Sequence, residues 1–402
     1  MSEPRIVRSF GGLAAAVMLL AIADSMAGSF MVLFLVNRAH LTPSQVGVLV
    51  SAPAVSGILV STLAGRRFDR RPTRVYVLVV TALGAVGYLL LNWTRSFLPL
   101  LLIAFFLLGA VAVAFPQLFA LARLALGDGA AGRRSAPLLR SAWSSGWAIG
   151  PLASAALLPR IGFNGIFTLA GALMAATGLV TLVLPSLPPR QPARPPELDP
   201  ELPEAVTDER ISGTALVALT LSVGLFFGTM IAGSVALPLY VTQTRHQPDA
   251  LVGVLYSVCA AVEIVTALAL VAVPERVSQR SLIVGSMVVF AGYFALTALA
   301  HGQAGLIGAQ AARGFGIAVV GAAGIRFFQE VMAPATGRAT TLFSNASTAG
   351  VLVAGVLGGV CVQAFGAPDT LLICGAIALI AATMFQLASP APAPLPAPAP
   401  AP

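Results

Sequence analysis

Three side chains carry full charge where the surrounding sequence is apolar: Asp24, Glu263 and Arg313 each lie near the middle of a long hydrophobic run. A charge at the centre of a membrane-spanning helix costs at least ~2.5 to 3.5 kcal/mol on insertion scales, so each needs a reason to be there. A carboxyl in such a place can take up and release a proton, which makes Asp24 and Glu263 candidates for coupling solute movement to a proton gradient. Either can equally be a structural ion pair or hydrogen-bond partner inside a helix bundle. Arg313, in ARGFGIA (312–318), reads best as a structural counter-charge.

A second group of residues suits recognition. Trp143 and Trp147 are four apart and so share a helix face, and Arg140 precedes Trp143 by three. A flat apolar surface beside a planar fork of donors is what a pyranose ring with equatorial hydroxyls can use. The two tryptophans lie deeper in their span than an interfacial belt requires, although anchoring at the interface is the plain alternative. Gln117, Gln329 and Asn345 add amides, and Arg123, Arg326 and Glu330 lie toward the same membrane face, where snorkelling is the competing reading for the two arginines. No nucleophile, base and orienting group share a short motif. Cys259, Cys361 and Cys374 are dispersed through apolar runs, and His40, His246 and His301 fall in loops. The chain is therefore expected to be no enzyme and to hold no metal or cofactor.

Helices must position these groups. The chain is 57% apolar and only 9% charged, with a mean hydropathy of +0.91, whereas soluble domains are nearer half apolar and a quarter charged. Apolar runs predict twelve spans, near 9–37, 43–65, 75–93, 97–122, 137–159, 163–185, 211–241, 248–273, 281–300, 304–328, 339–364 and 368–388. The isoelectric point of 10.4 would suit nucleic acid, but the arginines fall on short loops between spans, as the positive-inside rule describes. With the termini on one side, eighteen arginines collect there, including five within Gly65 to Arg74, and four (Arg38, Arg95, Arg160, Arg245) lie opposite. The first side is therefore expected to be cytoplasmic. The apolar run of span 1 is too long for a signal peptide, so a retained first helix is expected.

The Pro-rich, charged stretch 186–210 disfavours helix and reads as a cytoplasmic linker between bundles at 1–185 and 211–388, with a Pro/Ala-rich tail over 389–402. The halves resemble each other. AGSFMVLFLV (27–36) and VGVLVS (46–51) recur as AGSVALPLYV (232–241) and VGVLYS (252–257). At the latter offset Asp69-Arg70 falls on Glu275-Arg276 and Arg74 on Arg280, and a third match puts Gly146 on Gly350. Three matches in one order at nearly constant offset point to internal duplication. Six spans per copy is even, so the copies run parallel, an arrangement that places a substrate cleft between two bundles.

The loop Gly65-Arg66-Arg67-Phe68-Asp69-Arg70-Arg71-Pro72-Thr73-Arg74 resembles the GxxxDRxGRR signature of the major facilitator superfamily, with Pro72 and Thr73 as departures. The resemblance implies that Asp69, at a helix terminus, pairs with an arginine and a helix dipole of the other bundle in the outward-open state, as a switch. Gly146, Gly150 and Pro151 form a GxxxGP pattern similar to that superfamily's antiporter signature; physically it is a close, bendable helix contact. PQLFALAR (116–123), RSAWSSGWAIGP (140–151), AAVEIVTA (260–267), FFQE (327–330) and GRATTLFSNASTAGVLVAGV (337–356) look like segments of the bacterial sugar efflux transporters. Asp24 and the tail from Pro390 depart from that family. Arg313 resembles the membrane arginine of the superfamily's fourth span, displaced here to the second half.

The fold expected is an all-α membrane protein, with twelve transmembrane helices in two parallel six-helix repeats, the major facilitator fold. What the resemblance implies is a monomeric exporter of sugars or glycosides in the cell inner membrane, multi-pass with both termini cytoplasmic, working by alternating access and proton antiport. The proton gradient is its energy source, and its partners are a small-molecule substrate and membrane lipid, with no nucleic acid. Substrate contacts fall to Gln117, Arg140, Trp143, Trp147, Gln329 and Asn345. Structural or gating roles fall to Asp69, Arg70, Arg74, Arg123, Gly146, Gly150, Pro151, Glu275, Arg276, Arg313 and Glu330. The rivals are a drug or amphiphile antiporter of the same fold, and a membrane enzyme or sensor without transport.

Overall fold

A computed structural model describes residues 3–70, 73–126, 130–184, 211–274 and 277–390, with side chains over 10–60, 73–122, 138–184, 211–274 and 277–390. Glu275, Arg276, the linker and the tail beyond 390 lie outside the described residues, as do the side chains of Asp69, Arg70 and Arg123. Every regular element among the described residues is helical, which follows from a chain whose backbone must satisfy its own hydrogen bonds in hydrocarbon.

The first half comprises α1 (Glu3–Asn37), α2 (Pro43–Arg70), α3 (Val75–Leu90), α4 (Phe97–Leu102), α5 (Gly109–Val111), α6 (Ala114–Leu126) and α7 (Ala130–Val183). The second comprises α8 (Gly213–Leu239), α9 (Asp249–Ala269), α10 (Gln279–Leu299), α11 (Gln303–Val331) and α12 (Thr336–Ala388). The apolar part of α7 alone is 46 residues long, ~70 Å at 1.5 Å per residue and more than twice the hydrocarbon thickness. It is two spans joined at Gly162, and α12 is two spans joined at Gly366, each glycine having positive φ. Packing shows the reversal. In α7, Gly146 abuts Ala21 and Gly150 abuts Ser25 of α1 as both helices advance, whereas Phe167 meets Phe34 and a Cβ on Gly12 would strike Leu184 as α7 returns. With α4 to α6 counted as one crossing, the described helices make the twelve spans expected.

The fourth span is not one continuous helix. A π-helix over Ile103–Leu108 joins α4 to α5, and a turn at Ala112 and Val113 precedes α6. Pro116 lacks an N–H and crowds the carbonyl four residues back, at Ala112, which accounts for the second break. Hydropathy alone sees only an apolar run there.

The duplication is visible in hydrogen bonds. Ala39 N donates to Phe34 O (3.1 Å) and Leu41 N to Leu35 O (3.0 Å); Arg245 N donates to Tyr240 O (2.9 Å) and Gln247 N to Val241 O (3.0 Å), each 206 residues on. His40 and His246 take left-handed φ of 54° and 50° at the same point of the two loops. Arg74 donates to Leu182 O and Leu184 O, both at 2.7 Å, tying the start of α3 to the end of α7. Arg280 donates to Gln386 O and Pro390 O, tying α10 to the end of α12. The aligned arginines thus satisfy carbonyls at the ends of the last spans of their bundles.

Among the described residues the bundles meet away from the arginine-rich end. Gly47 of α2 lies against Gly355 and Gly359 of α12, where a Cβ would collide with the Gly355 carbonyl. Ser44 N donates to Gln363 Oε1 (3.2 Å), and Gly253 of α9 lies against Pro151 and Ala155 of α7. All of these residues are in the halves of their helices remote from Arg70 and Arg74, here called the far end.

Candidate functional site

Arg140, Ser144, Trp147, Pro151 and Ala155 follow one another at spacings of four and three, and so form one stripe of α7. Its far end is the seam with α9. Exposure along the stripe rises from 5% at Ala155 to 37% at Trp147, and Arg140 is exposed. On α12, Gly359 and Gly355 are buried and Ser344, on the same stripe, is exposed. Among the described residues the bundles therefore part like a wedge, closed at the far end and open at the arginine-rich end.

The walls of the wedge carry the groups singled out above. Phe119 and Phe115 of α6 stack at 4.5 Å between ring centroids, Phe115 meets Trp143 at 4.4 Å, and Trp143 meets Trp147 at 6.4 Å. A strip of four rings thus leads along one wall beside Arg140. Asn345 is exposed on the other bundle. Gln329 donates from Nε2 to Thr340 Oγ1 (2.8 Å), bracing α11 against α12, while Glu330 accepts from Gln279 of α10. Gln117 is buried in the first bundle with Oε1 unpaired among the described residues.

Depth on the facing walls can be read from helix rise. Arg140 is eleven residues from Pro151, and Glu263 is ten from Gly253 on antiparallel α9, so both lie ~15 Å from the seam. They face each other at one level. The fields of both Arg140 and Arg313 reach Glu263, yet Glu263 has no hydrogen-bond partner among the described residues.

Arg313 does not pair with a carboxylate directly, contrary to what a structural counter-charge suggests. Its Nη2 donates to Ser234 Oγ (2.8 Å), and its guanidinium lies 5.0 Å from the Tyr256 ring centroid and 5.8 Å from that of Tyr293. The π faces of the two tyrosines supply part of the balancing negative potential. Nη1 is buried without a hydrogen-bond partner among the described residues, and Tyr293 OH lies beside Gln310. Asp24 instead accepts from Tyr88 OH of α3 at 3.4 Å, inside the first bundle. The two carboxyls thus occupy different bundles and have different company.

Gly146 and Gly150 seat α7 on α1, where Ser25 Oγ donates to Gly146 O (3.1 Å); Pro151 belongs to the seam. Tyr88, Tyr256, Tyr293 and Ser234, the partners of the charges, and Gln310 beside Tyr293 were not identified from sequence, and neither were Phe115 and Phe119. Polar-tipped aromatics inside apolar runs were the available signal for the first three. The i, i+4 spacing was the signal for the phenylalanines. Among the described residues no group of three or more His, Cys, Asp or Glu side chains could hold a metal ion.

A sequence profile of the Major Facilitator Superfamily matches residues 13–272 and 219–401. A Deinococcus radiodurans protein named as a sugar efflux transporter is 36% identical over 94% of this chain and 97% of its own length. Sugar efflux transporter B of Salmonella typhimurium is 30% identical over 95% of this chain and 96% of its own. In fold, the chain is similar to a crystal structure of a mutant nucleoside transporter NupG, with a TM-score of 0.79 and 15% identity over 94% of this chain and 99% of that one.

Proposed function

Because the chain belongs to the major facilitator superfamily, and within it to the sugar efflux transporters, we propose that it exports sugars or glycosides by alternating access, driven by proton antiport. The arginine-rich end faces the cytoplasm of the inner membrane, both termini lie on that side, and the wedge is the inward-open state of a carrier that works as a monomer. A sugar enters from the cytoplasm, lies against the strip from Phe119 to Trp147 and uses the donors of Arg140. The bundles then rock about the seam to release it on the far side. The proton returns on Asp24 or Glu263 and resets the carrier. No covalent step is asked of any residue.

One observation carries the choice of substrate: aromatic rings and a planar, exposed guanidinium share a wall of the cleft, with an amide at Asn345 opposite. Rings take the apolar C–H faces of a pyranose, and the fork takes paired hydroxyls. The rings would also accept flat lipophilic cations, which Arg140 would repel. Counterflow in proteoliposomes, with a sugar and glycoside panel run beside lipophilic cations, separates the two: exchange of at least one sugar and none of the cations is expected. The reverse pattern would transfer the proposal to drug export.

A further inference from the structure

Glu263 lies between two cations and is bonded to neither. Within its own bundle the neighbour is Arg313, because Gly314 packs directly on α9, where a Cβ would come within 3.0 Å of Val262 Cβ and 3.2 Å of Glu263 N. Arg313 is 95% buried and Nη1 has no partner among the described residues, an arrangement that low dielectric penalises and that calls for a nearby anion. Across the wedge the neighbour is Arg140, at the same depth on an antiparallel helix whose contact with α9 at Gly253 lies nearer the far end. Rotation about the seam at Gly253 and Pro151 must carry these two walls toward each other.

We propose that Glu263 is a single anion exchanged between two arginines. While the wedge is open, its charge is balanced by Arg313 in the same bundle. When the arginine-rich end closes, the fork of Arg140 captures it in a direct ion pair that bridges the bundles and holds the outward-open state. The charged groups facing Glu263 from neighbouring elements are Arg140 and Arg313, with Cys259 one turn back on its own helix. A proton arriving on Glu263 in the outward-open state removes the pair, and the inner end reopens. This rests on the alternating-access reading, and it gives Arg140 and Arg313 work in the cycle beyond substrate contact and charge balance.

The test reads cleft closure without any substrate. Ser344, exposed on the α12 wall, is replaced by cysteine in a chain with Cys361→Ala, and everted membrane vesicles are treated with a bulky, impermeant maleimide. Glu263→Gln and Arg140→Gln should each speed labelling about two- to fivefold, the scale of one partly exposed ion pair. The exchanged pair, Arg140→Glu with Glu263→Arg, should return labelling to the parental rate. Arg313→Gln should act in the opposite sense and slow labelling, since Glu263 then has only Arg140. Unchanged labelling in both single variants, or an exchanged pair that labels like the singles, would overturn the proposal. Because no sugar is present, failure of the sugar reading leaves these rates untouched, and failure here leaves counterflow interpretable.

Discussion

At the scale of single residues, Arg140 is where the sugar and drug readings part. Arg140→Lys keeps the charge but loses the planar fork, so a sugar site should lose apparent affinity clearly, while a site for lipophilic cations should barely change. Trp147→Phe keeps most of the flat surface and should be mild, whereas Trp147→Ala should weaken a stacked sugar by roughly 1 to 3 kcal/mol in counterflow titrations. Normal sugar affinity in Arg140→Lys would place the sugar elsewhere. Asp24 is tested differently: Asp24→Asn should abolish sugar accumulation driven by a pH gradient while sparing exchange, if Asp24 carries the proton. Loss of both would mark the Asp24 to Tyr88 contact as structural. The charges themselves were plain in the sequence, since an apolar run advertises any interruption. Their partners were not, because Ser234, Tyr256 and Tyr293 reach Arg313 from three different helices, and sequence spacing relates only residues on one helix.

At the scale of elements, the two capping arginines make a paired prediction. Arg74 and Arg280 each bond carbonyls that the ends of α7 and α12 leave free, and each is only partly buried. Arg74→Ala and Arg280→Ala should therefore each cost about 1 to 2 kcal/mol and lower the midpoint of thermal unfolding in detergent by similar amounts. A loss in one variant alone would mean that the repeats are not equivalent here. The alignment of these arginines was legible because duplication preserved their spacing. Most span limits were legible too, as hydrocarbon thickness sets them. The π-helix at Ile103–Leu108 was not, for nothing in IAFFLL distinguishes it from an ordinary apolar turn; Gly109, pressed against Ser56 and Pro53 of α2, marks the packing constraint beside it.

At the scale of the molecule, the seam decides which end is open. Gly253 has no room for a side chain between Pro151 and Phe30, so Gly253→Leu should force the far end apart and shift the population toward the outward-open state. An impermeant maleimide applied from outside should then label a cysteine placed at Ser51, which is buried beside Gly355. Protection equal to that of the parent chain would show that the seam is not the outer closure. The two-bundle plan could be read from the repeats, but the wedge could not, because which end is closed depends on contacts between helices roughly one hundred to three hundred residues apart. The whole account, a cytoplasm-facing cleft that loads sugar and is reset by protons, is tested most directly in everted inner-membrane vesicles containing the protein. With the lumen made acid, a sugar found by counterflow should accumulate against its gradient, and a protonophore should collapse that accumulation. Sugar movement that never exceeds equilibration, or accumulation that persists after the protonophore, would contradict it.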